Sequence, residues 1–482
     1  MPLMFALDGK GRGTSFRLAY FCGFIFFGLT LYWIVFVTAL GAVLLWIYFA
    51  LYFGLFGLGY FWLSRKKFLA RMLLLPALWV TLEYVRAHFL SGFGWVSLGY
   101  SQYQNLGLIQ IADMTGVYGV SFLIVMANVF FKEIFVFFFR RTSEVSKKEF
   151  VNAFVLMIVL VGLSMGYSFF KLHEDVSLDE DIPGATIKIG VAQGNVPHER
   201  RWHPKMWPFI LRDYFALSEK LMQEKVDLII WPESAYPGYY GEDPENAREF
   251  KAFLLKAKTP HVIGTITKEG ENYFNSAVLF SAGKPEAAYH KIHLVLFGEF
   301  IPMRKQFPFL ASLVPIDDFT RGKERVLFKA PSSQDANKPF FYSVLICFED
   351  TVPDLVRGFV KSGANLLIDM SNDAWFGDSK EPFLHLQSAV FRSIENRRFL
   401  VRCGNVGVSC FIDPCGRILN AVKNTLGKMT YVDGVAAQEI SFASDRTLYT
   451  KFGDFFAYFC FSGILVGVIL HTTNYQRRRG SK

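Results

Sequence analysis

Between positions 15 and 64 only Arg17 carries a formal charge. A run this long and this apolar has room for two membrane-spanning helices of about 20 residues each, with the turn between them near Thr38 to Gly41. Residues 72–87, 117–138, 150–170 and 455–471 supply four more, so the sequence predicts a bundle of about six transmembrane helices. Residues 72–87 include Glu83 and Arg86, three apart on one helical face. They read either as an intramembrane or interfacial pair or as the early end of a span. The run FGWVSLGY from Phe93 has the aromatic and glycine content of an interfacial or re-entrant loop.

Composition agrees. Apolar residues make up 52% of the chain and aromatics 17%, with 52 Phe in all, and the aromatics crowd the first third. The net charge of +9 would point to nucleic acid if the basic residues formed a face, but they cluster at the ends of apolar runs. They are topology signals instead, and no nucleic-acid partner is expected. With Lys10 and Arg12 in the cytoplasm, the clusters at 65–67, 140–141, 147–148 and 477–479 all fall on the same side. The segment between the fifth and sixth spans then lies opposite, which in a bacterial inner membrane is the periplasm. No A-x-A-like cleavage site follows the first apolar run, so it is expected to remain as an anchor. Three regions follow: transmembrane helices over 1–171, a periplasmic domain over 172–451, and a last helix with a basic cytoplasmic tail over 452–482.

The stretch HEDVSLDEDIPG from His173 reads as an acidic linker. Beyond it, strand patterns over 185–193, 226–231, 261–267, 274–281, 340–346, 365–370 and 399–403 alternate with helix patterns over 207–225, 245–257, 351–361 and 384–397. A hairpin over 408–419 turns on Pro414-Cys-Gly. This alternation predicts a layered α/β domain, with no internal repeat.

Within it, FFYSVLICFED from Phe340 reads as a buried strand that delivers Cys347 to the lip of a sheet, with Asp350 or Thr351 capping a following helix and Pro353 in its first turn. A thiol at such a corner lies near the positive end of a helix dipole, where thiolate is favoured. Glu233 ends another strand, and Lys291 sits in Tyr-His-Lys-Ile-His. Beside a cysteine, a glutamate supplies a base for the thiol proton and a lysine holds the charge of a tetrahedral intermediate. The competing readings are a packed apolar cysteine and two solvated surface charges.

Ile230-Trp-Pro-Glu-Ser, Lys291-Ile-His-Leu-Val-Leu-Phe-Gly-Glu-Phe-Ile-Pro, Ile346-Cys-Phe-Glu and Met370-Ser-Asn-Asp-Ala-Trp-Phe-Gly, in this order, together resemble the apolipoprotein N-acyltransferase family. The likeness runs from about Pro76 through the C-terminal helix. It implies a nitrilase-like αββα sandwich carried on a membrane bundle, with Glu233 as general base, Lys291 as oxyanion partner and Cys347 as nucleophile. It also implies support from Glu299 and Glu349, for which an ordinary structural ion pair is the alternative. Trp202, Trp375 and Phe376 match aromatic positions that face the lipid, with core packing as their alternative. Phe348 stands where the family often has Tyr, and Leu296 where a Pro is common. The family usually carries about eight spans, so this chain is expected to begin after the first two, either because its start is placed late or because the short form is real.

The implied reaction is ping-pong. An acyl chain passes from a phospholipid donor to Cys347 as a thioester, then to the α-amine of a diacylated lipoprotein's N-terminal cysteine. A monomer without cofactor is expected. No metal is implied, since His290 and His293 lack a third ligand at a recognisable spacing. Cys403, Cys410 and Cys415 are either buried free thiols or include one disulfide, and Cys22 and Cys460 read as packing within spans. The rival readings are a membrane-anchored carbon-nitrogen hydrolase acting on a small amide, and a non-catalytic scaffold.

Overall fold

The computed structural model describes residues 1–90, 92–140, 145–174, 186–302, 304, 306, 318–330 and 340–480. The acidic linker beyond Glu174, and Arg141 of one basic cluster, lie outside the described residues. The chain divides into two compact units, Met1–Glu174 with Lys451–Lys482, and Asp175–Thr450.

The first unit is helical: α1 (Arg12–Thr30), α2 (Ala39–Leu63), α3 (Phe68–His88), α4 (Val117–Phe135), α5 (Lys147–His173) and the C-terminal helix Phe455–Gly480. The break between α1 and α2 falls where the sequence put it. A 3-10 turn spans Tyr32–Phe36, and Thr38 caps α2 by accepting from the Gly41 N–H at 3.2 Å. Small residues let α1 and α2 approach closely, since a Cβ on Gly57 would lie 2.4 Å from the Ser15 carbonyl oxygen.

Among the described residues, four helices are long and apolar enough to cross a membrane: Ala39–Leu63, Phe68–His88, Val117–Phe139 and Lys147–His173. The expected count of about six is not reached by this measure. Arg12–Thr30 is diluted by two arginines and several small residues, and the apolar helix Phe455–Ile469 is shorter.

Glu83 and Arg86 are both buried, and both hold the 93–98 loop. Glu83 accepts from Trp79 Nε1 at 2.8 Å and from the Leu98 N–H at 2.7 Å. Arg86 donates to the carbonyls of Phe93 at 3.0 Å and Trp95 at 2.6 Å and to Ser97 Oγ at 3.1 Å. Inside the bundle those carbonyls have no water to turn to.

The second unit contains two six-stranded sheets. The first is built from β1 (Thr186–Gln193), β2 (Leu228–Ile230), β3 (His261–Glu269), β4 (Asn272–Ser281), β5 (Lys284–His290) and β12 (Gly434–Ser441). The second comprises β6 (Phe328–Lys329), β7 (Phe341–Ile346), β8 (Leu366–Ser371), β9 (Leu400–Gly404), β10 (Cys410–Ile412) and β11 (Ile418–Ala421). The orders are β12-β1-β2-β3-β4-β5 and β6-β7-β8-β9-β10-β11. In each, three parallel strands are flanked by one antiparallel strand on one side and an antiparallel pair on the other. The sheets thus share one strand plan although the sequence shows no repeat.

Helices cover the sheets because their sequences are amphipathic. In α6 (Trp207–Gln223) the buried Ile210, Leu211, Tyr214, Leu217 and Leu221 share a core with Ile229, Trp231 and Ile263. Each fully buried aliphatic side chain of that stripe contributes roughly 1.5–3 kcal/mol. Further helices are α7 (Pro244–Ala257), capped by Asp243, α8 (Pro353–Ser362) and α9 (Glu381–Asn396). The expected strands are all present. Strands β5, β6 and β12 are additions to the predicted set, two of them because their exposed edge sequences lack an apolar run.

One local expectation is corrected. Neither Asp350 nor Thr351 caps α8: a 3-10 turn over Cys347–Thr351 intervenes, and Thr351 Oγ1 donates to the Phe348 carbonyl at 2.7 Å. All six cysteines are free thiols, which settles Cys403, Cys410 and Cys415 as unbridged.

Replacing Arg86 with leucine strips two carbonyls of their donors. Arg86→Leu is expected to cost about 3 kcal/mol, read as a lower melting temperature of the detergent-solubilised protein and faster proteolysis within 93–98.

Candidate active site

Four strand ends converge. Glu233 follows β2, Lys291 follows β5, Cys347 follows β7 and Asp373 follows β8.

Two residues before Glu233 the chain is anchored by Trp231, which stacks on Tyr214 at 4.7 Å and donates from Nε1 to Ser218 Oγ at 2.8 Å. The neighbouring strand must carry no side chain where the Glu233 backbone crosses it. A Cβ on Gly264 would lie 2.3 Å from the Pro232 carbonyl oxygen and 2.7 Å from Glu233 Cα.

Lys291 is buried and stands between two carboxylates, 2.9 Å from Glu299 Oε1 and 3.7 Å from Glu233 Oε1. Asn275 Nδ2 donates to the same two oxygens, each at 2.8 Å. Glu299 is held in turn by the Val295 N–H at 2.8 Å. Burial pulls the lysine ammonium down, but Glu299 and Glu233 outweigh it and leave its pKa raised, so it is a fixed cation.

Glu349 acts chiefly on the backbone. Its Oε1 accepts from the N–H groups of Ile292 at 2.7 Å and His293 at 2.9 Å, its Oε2 from the Ile346 N–H at 2.9 Å, and Tyr289 OH lies 2.8 and 2.9 Å from the two oxygens. Burial raises its pKa to about 7 against the pull of these donors and Lys291. It joins the end of β7 to the loop that carries Lys291.

Cys347 has φ +55°, in the left-handed region that a non-glycine residue adopts at a cost. The resting thiolate expected from the sequence is corrected by the structure. Burial and the Glu233 carboxylate push the thiol well above its ordinary range, against the opposing pull of Lys291 and His385. The turn that follows is one short 3-10 segment, too small a dipole to prevail.

Phe348 stacks on His293 with ring centroids 5.6 Å apart. His290 is engaged by Ser276 Oγ at 2.8 Å and Glu269 at 3.2 Å. Trp202 and Trp375 are 44% and 45% exposed, which rejects core packing for both, and Phe376 is half-buried. His198 lies between the two tryptophans, with ring centroids 4.0 Å from Trp375 and 6.4 Å from Trp202.

Sequence reasoning missed Asn275, Tyr289 and a fully buried ionic cluster of Asp350, Asp369, Asp373, Glu381, His385 and Arg402. Two members carried a readable signal. Asp369 and Arg402 interrupt otherwise apolar strands, and they prove to be cross-strand partners in register on β8 and β9.

Known proteins share both units. The model for the apolipoprotein N-acyltransferase N-terminal domain matches residues 1–130, and the carbon-nitrogen hydrolase model matches residues 188–439. A protein of Geobacter metallireducens named apolipoprotein N-acyltransferase is 36% identical, over 96% of this chain and 88% of its own length. One of the same name from Chlorobaculum tepidum is 28% identical, over 99% and 91%. Among solved structures, Saccharomyces cerevisiae Nit3, a member of branch 10 of the nitrilase superfamily, aligns over 55% of this chain and 93% of its own, with 17% identity and TM-score 0.41.

Glu349 meets only donors, so an amide there turns an acceptor into a donor facing a backbone N–H. Glu349→Gln is expected to destabilise the unit by about 2 kcal/mol and to lower turnover, measured by thermal melting beside an activity assay. Gly264→Ala, which displaces Glu233, should cut kcat at least about tenfold with a smaller change in stability, a barrier increase of roughly 1.4 kcal/mol.

Proposed function

The chain belongs to the apolipoprotein N-acyltransferase family, and on that premise we propose how its own residues carry out the acyl transfer. The observation that supports the assignment is the convergence of Glu233, Lys291 and Cys347 at neighbouring strand ends, with Lys291 lodged between Glu233 and Glu299.

Because the thiol rests protonated, deprotonation accompanies attack. Glu233 takes the Cys347 proton as Sγ adds to an ester carbonyl of a phospholipid. Lys291 and a backbone N–H beside Cys347 bear the oxyanion charge. The tetrahedral intermediate collapses, the carbon-oxygen bond breaks, and Glu233 returns the proton to the departing lysophospholipid alkoxide. Cys347 now carries the acyl chain as a thioester.

The α-amine of a diacylglyceryl-cysteine then attacks the thioester. With a pKa of roughly 7.7–8.0 it is partly neutral at physiological pH, and Glu233 accepts its proton and passes it to the leaving thiolate. The exposed Trp202 and Trp375 favour an acyl-chain donor over a small amide. Glu299 orients Lys291, and Glu349 orients the lysine loop. Phe348 cannot supply the hydroxyl that tyrosine would, and its backbone N–H is unaffected.

The protein acts in the bacterial inner membrane with the catalytic domain in the periplasm, a reading supported by the one-sided placement of the basic clusters. It works as a monomer.

The test is direct. Purified protein is mixed with phospholipid and a diacylated lipopeptide, and mass spectrometry follows the Cys347 peptide and the lipopeptide. An acyl adduct on Cys347 and a triacylated product are expected. Cys347→Ala should abolish both, and Lys291→Met should lower kcat by roughly 100-fold or more. Turnover of a small amide without any acyl adduct would sink the assignment. A periplasmic reporter fused after Tyr342 should be active.

A further inference from the structure

The acyl-transfer reading gives no role to His385, although this side chain is fully buried beneath the nucleophile. It reaches Cys347 from α9, on a different element from the other site residues. Its Nε2 lies 3.3 Å from the Cys347 carbonyl oxygen and 2.9 Å from Asp350 Oδ1. Its Nδ1 lies 3.2 Å from Asp373 Oδ1 and 3.5 Å from Glu381 Oε1. Nε2 therefore faces a carbonyl oxygen and a carboxyl oxygen, and Nδ1 faces the Asp373 carboxyl. A neutral imidazole has one N–H, and would turn a lone pair towards one of these oxygens. These contacts favour a hydrogen on both nitrogens. One ring nitrogen and one Asp373 oxygen also lie within 4.8 Å of Cys347 Sγ.

We propose that His385 is a positioning residue held as an imidazolium, which anchors the left-handed corner at Cys347 through its carbonyl and sets a second fixed cation, besides Lys291, near the sulfur. The proposal rests on the reading of Cys347 as the nucleophile. Five ionisable groups surround the ring: Asp350 from the turn after β7, Asp369 and Asp373 from β8 and its end, Glu381 from α9 and Arg402 from β9. Around Cys347 stand Glu233, Lys291, Asp373 and His385.

The cluster is rich in acids, which favours a charged His385. It has four carboxyl groups, and Arg402 contacts Asp350, Asp369 and Asp373. Burial, with Asp350 beside the one and Asp373 beside the other, lifts both Asp369 and Glu381 to about 8, so these two hold protons at neutral pH. Both Glu381 oxygens are buried without a hydrogen-bond partner among the described residues, as suits a neutral carboxyl. Burial opposes the Asp373 charge, but His385 and Arg402 outweigh it and hold its carboxyl below the usual range. Burial and Arg402 oppose the imidazolium charge, but Asp350 and Asp373 outweigh them.

The test reads the thiol itself. Iodoacetamide alkylation of Cys347 in the intact detergent-solubilised protein is followed by mass spectrometry across pH. In His385→Gln, which keeps a donor but loses the charge, the midpoint of alkylation should rise by about one unit, roughly a tenfold slower reaction below it. His385→Lys should recover part of the shift. A folded His385→Gln protein with an unmoved midpoint would overturn the proposal, because a merely structural hydrogen bond would alter the melting temperature and leave the midpoint in place. Should the variants fail to fold, the wild-type protein decides. With 15N-labelled histidine, one imidazolium signal should persist at pH 9, and its absence overturns the proposal. Alkylation needs no lipid, so its outcome is independent of whether the acyl adduct on Cys347 is found.

Discussion

Much of the site hangs on the Glu349 carboxylate. Lys291 leaves the first sheet and Cys347 leaves the second, so no strand pairing sets the distance between them. Glu349 does, by gathering the N–H groups of Ile292 and His293 from one side and of Ile346 from the other. A buried carboxylate with both oxygens engaged is rigid, because each departure leaves an unpaired backbone donor without water. The lysine loop is irregular chain, and this contact ties it to the end of β7.

The electrostatics follow from burial. A site enclosed enough to raise the resting thiol cannot rely on thiolate already present, so the proton must move during the reaction. Positive charge is therefore useful only if it is permanent. Lys291 meets that condition through Glu299 and Glu233, and His385 in the cluster under Cys347 meets it through Asp350 and Asp373. Cys347 also bears a conformational cost at φ +55°, and Glu349 on the preceding Ile346 N–H and His385 at the Cys347 carbonyl keep it there.

Much of this was legible in the sequence. The apolar runs announced helices because burial in lipid demands length and uniformity, and the strands that end in Glu233 and Cys347 announced themselves as apolar, β-branched runs stopped by a charge. What escaped was of three kinds. Strands β5 and β12 lie at sheet edges, where partial exposure erases the pattern. The start of α8 was hidden because the chain makes a 3-10 turn over Cys347–Thr351 before the helix can begin. His385 and Glu381 were hidden because an amphipathic helix normally turns such residues to solvent, and only the tertiary fold reveals that α9 is enclosed nearly all round.

The pairing of β1 with β12 sets an order of events for the chain as it is made. Thr186 opens the sheet unit, and its hydroxyl bonds Glu439, 253 positions later, at 2.6 Å. During synthesis β1 must therefore wait, one edge unpaired, until nearly the whole unit has left the ribosome. Its other edge is covered early by β2, which limits the exposed ladder to a single side. When β12 arrives, the two ends of the unit come together, so the whole unit hangs from adjacent points on the chain like a bead threaded through one hole. A chain cut before Gly434 would keep every residue discussed above as catalytic and still lack the strand that shuts its first sheet.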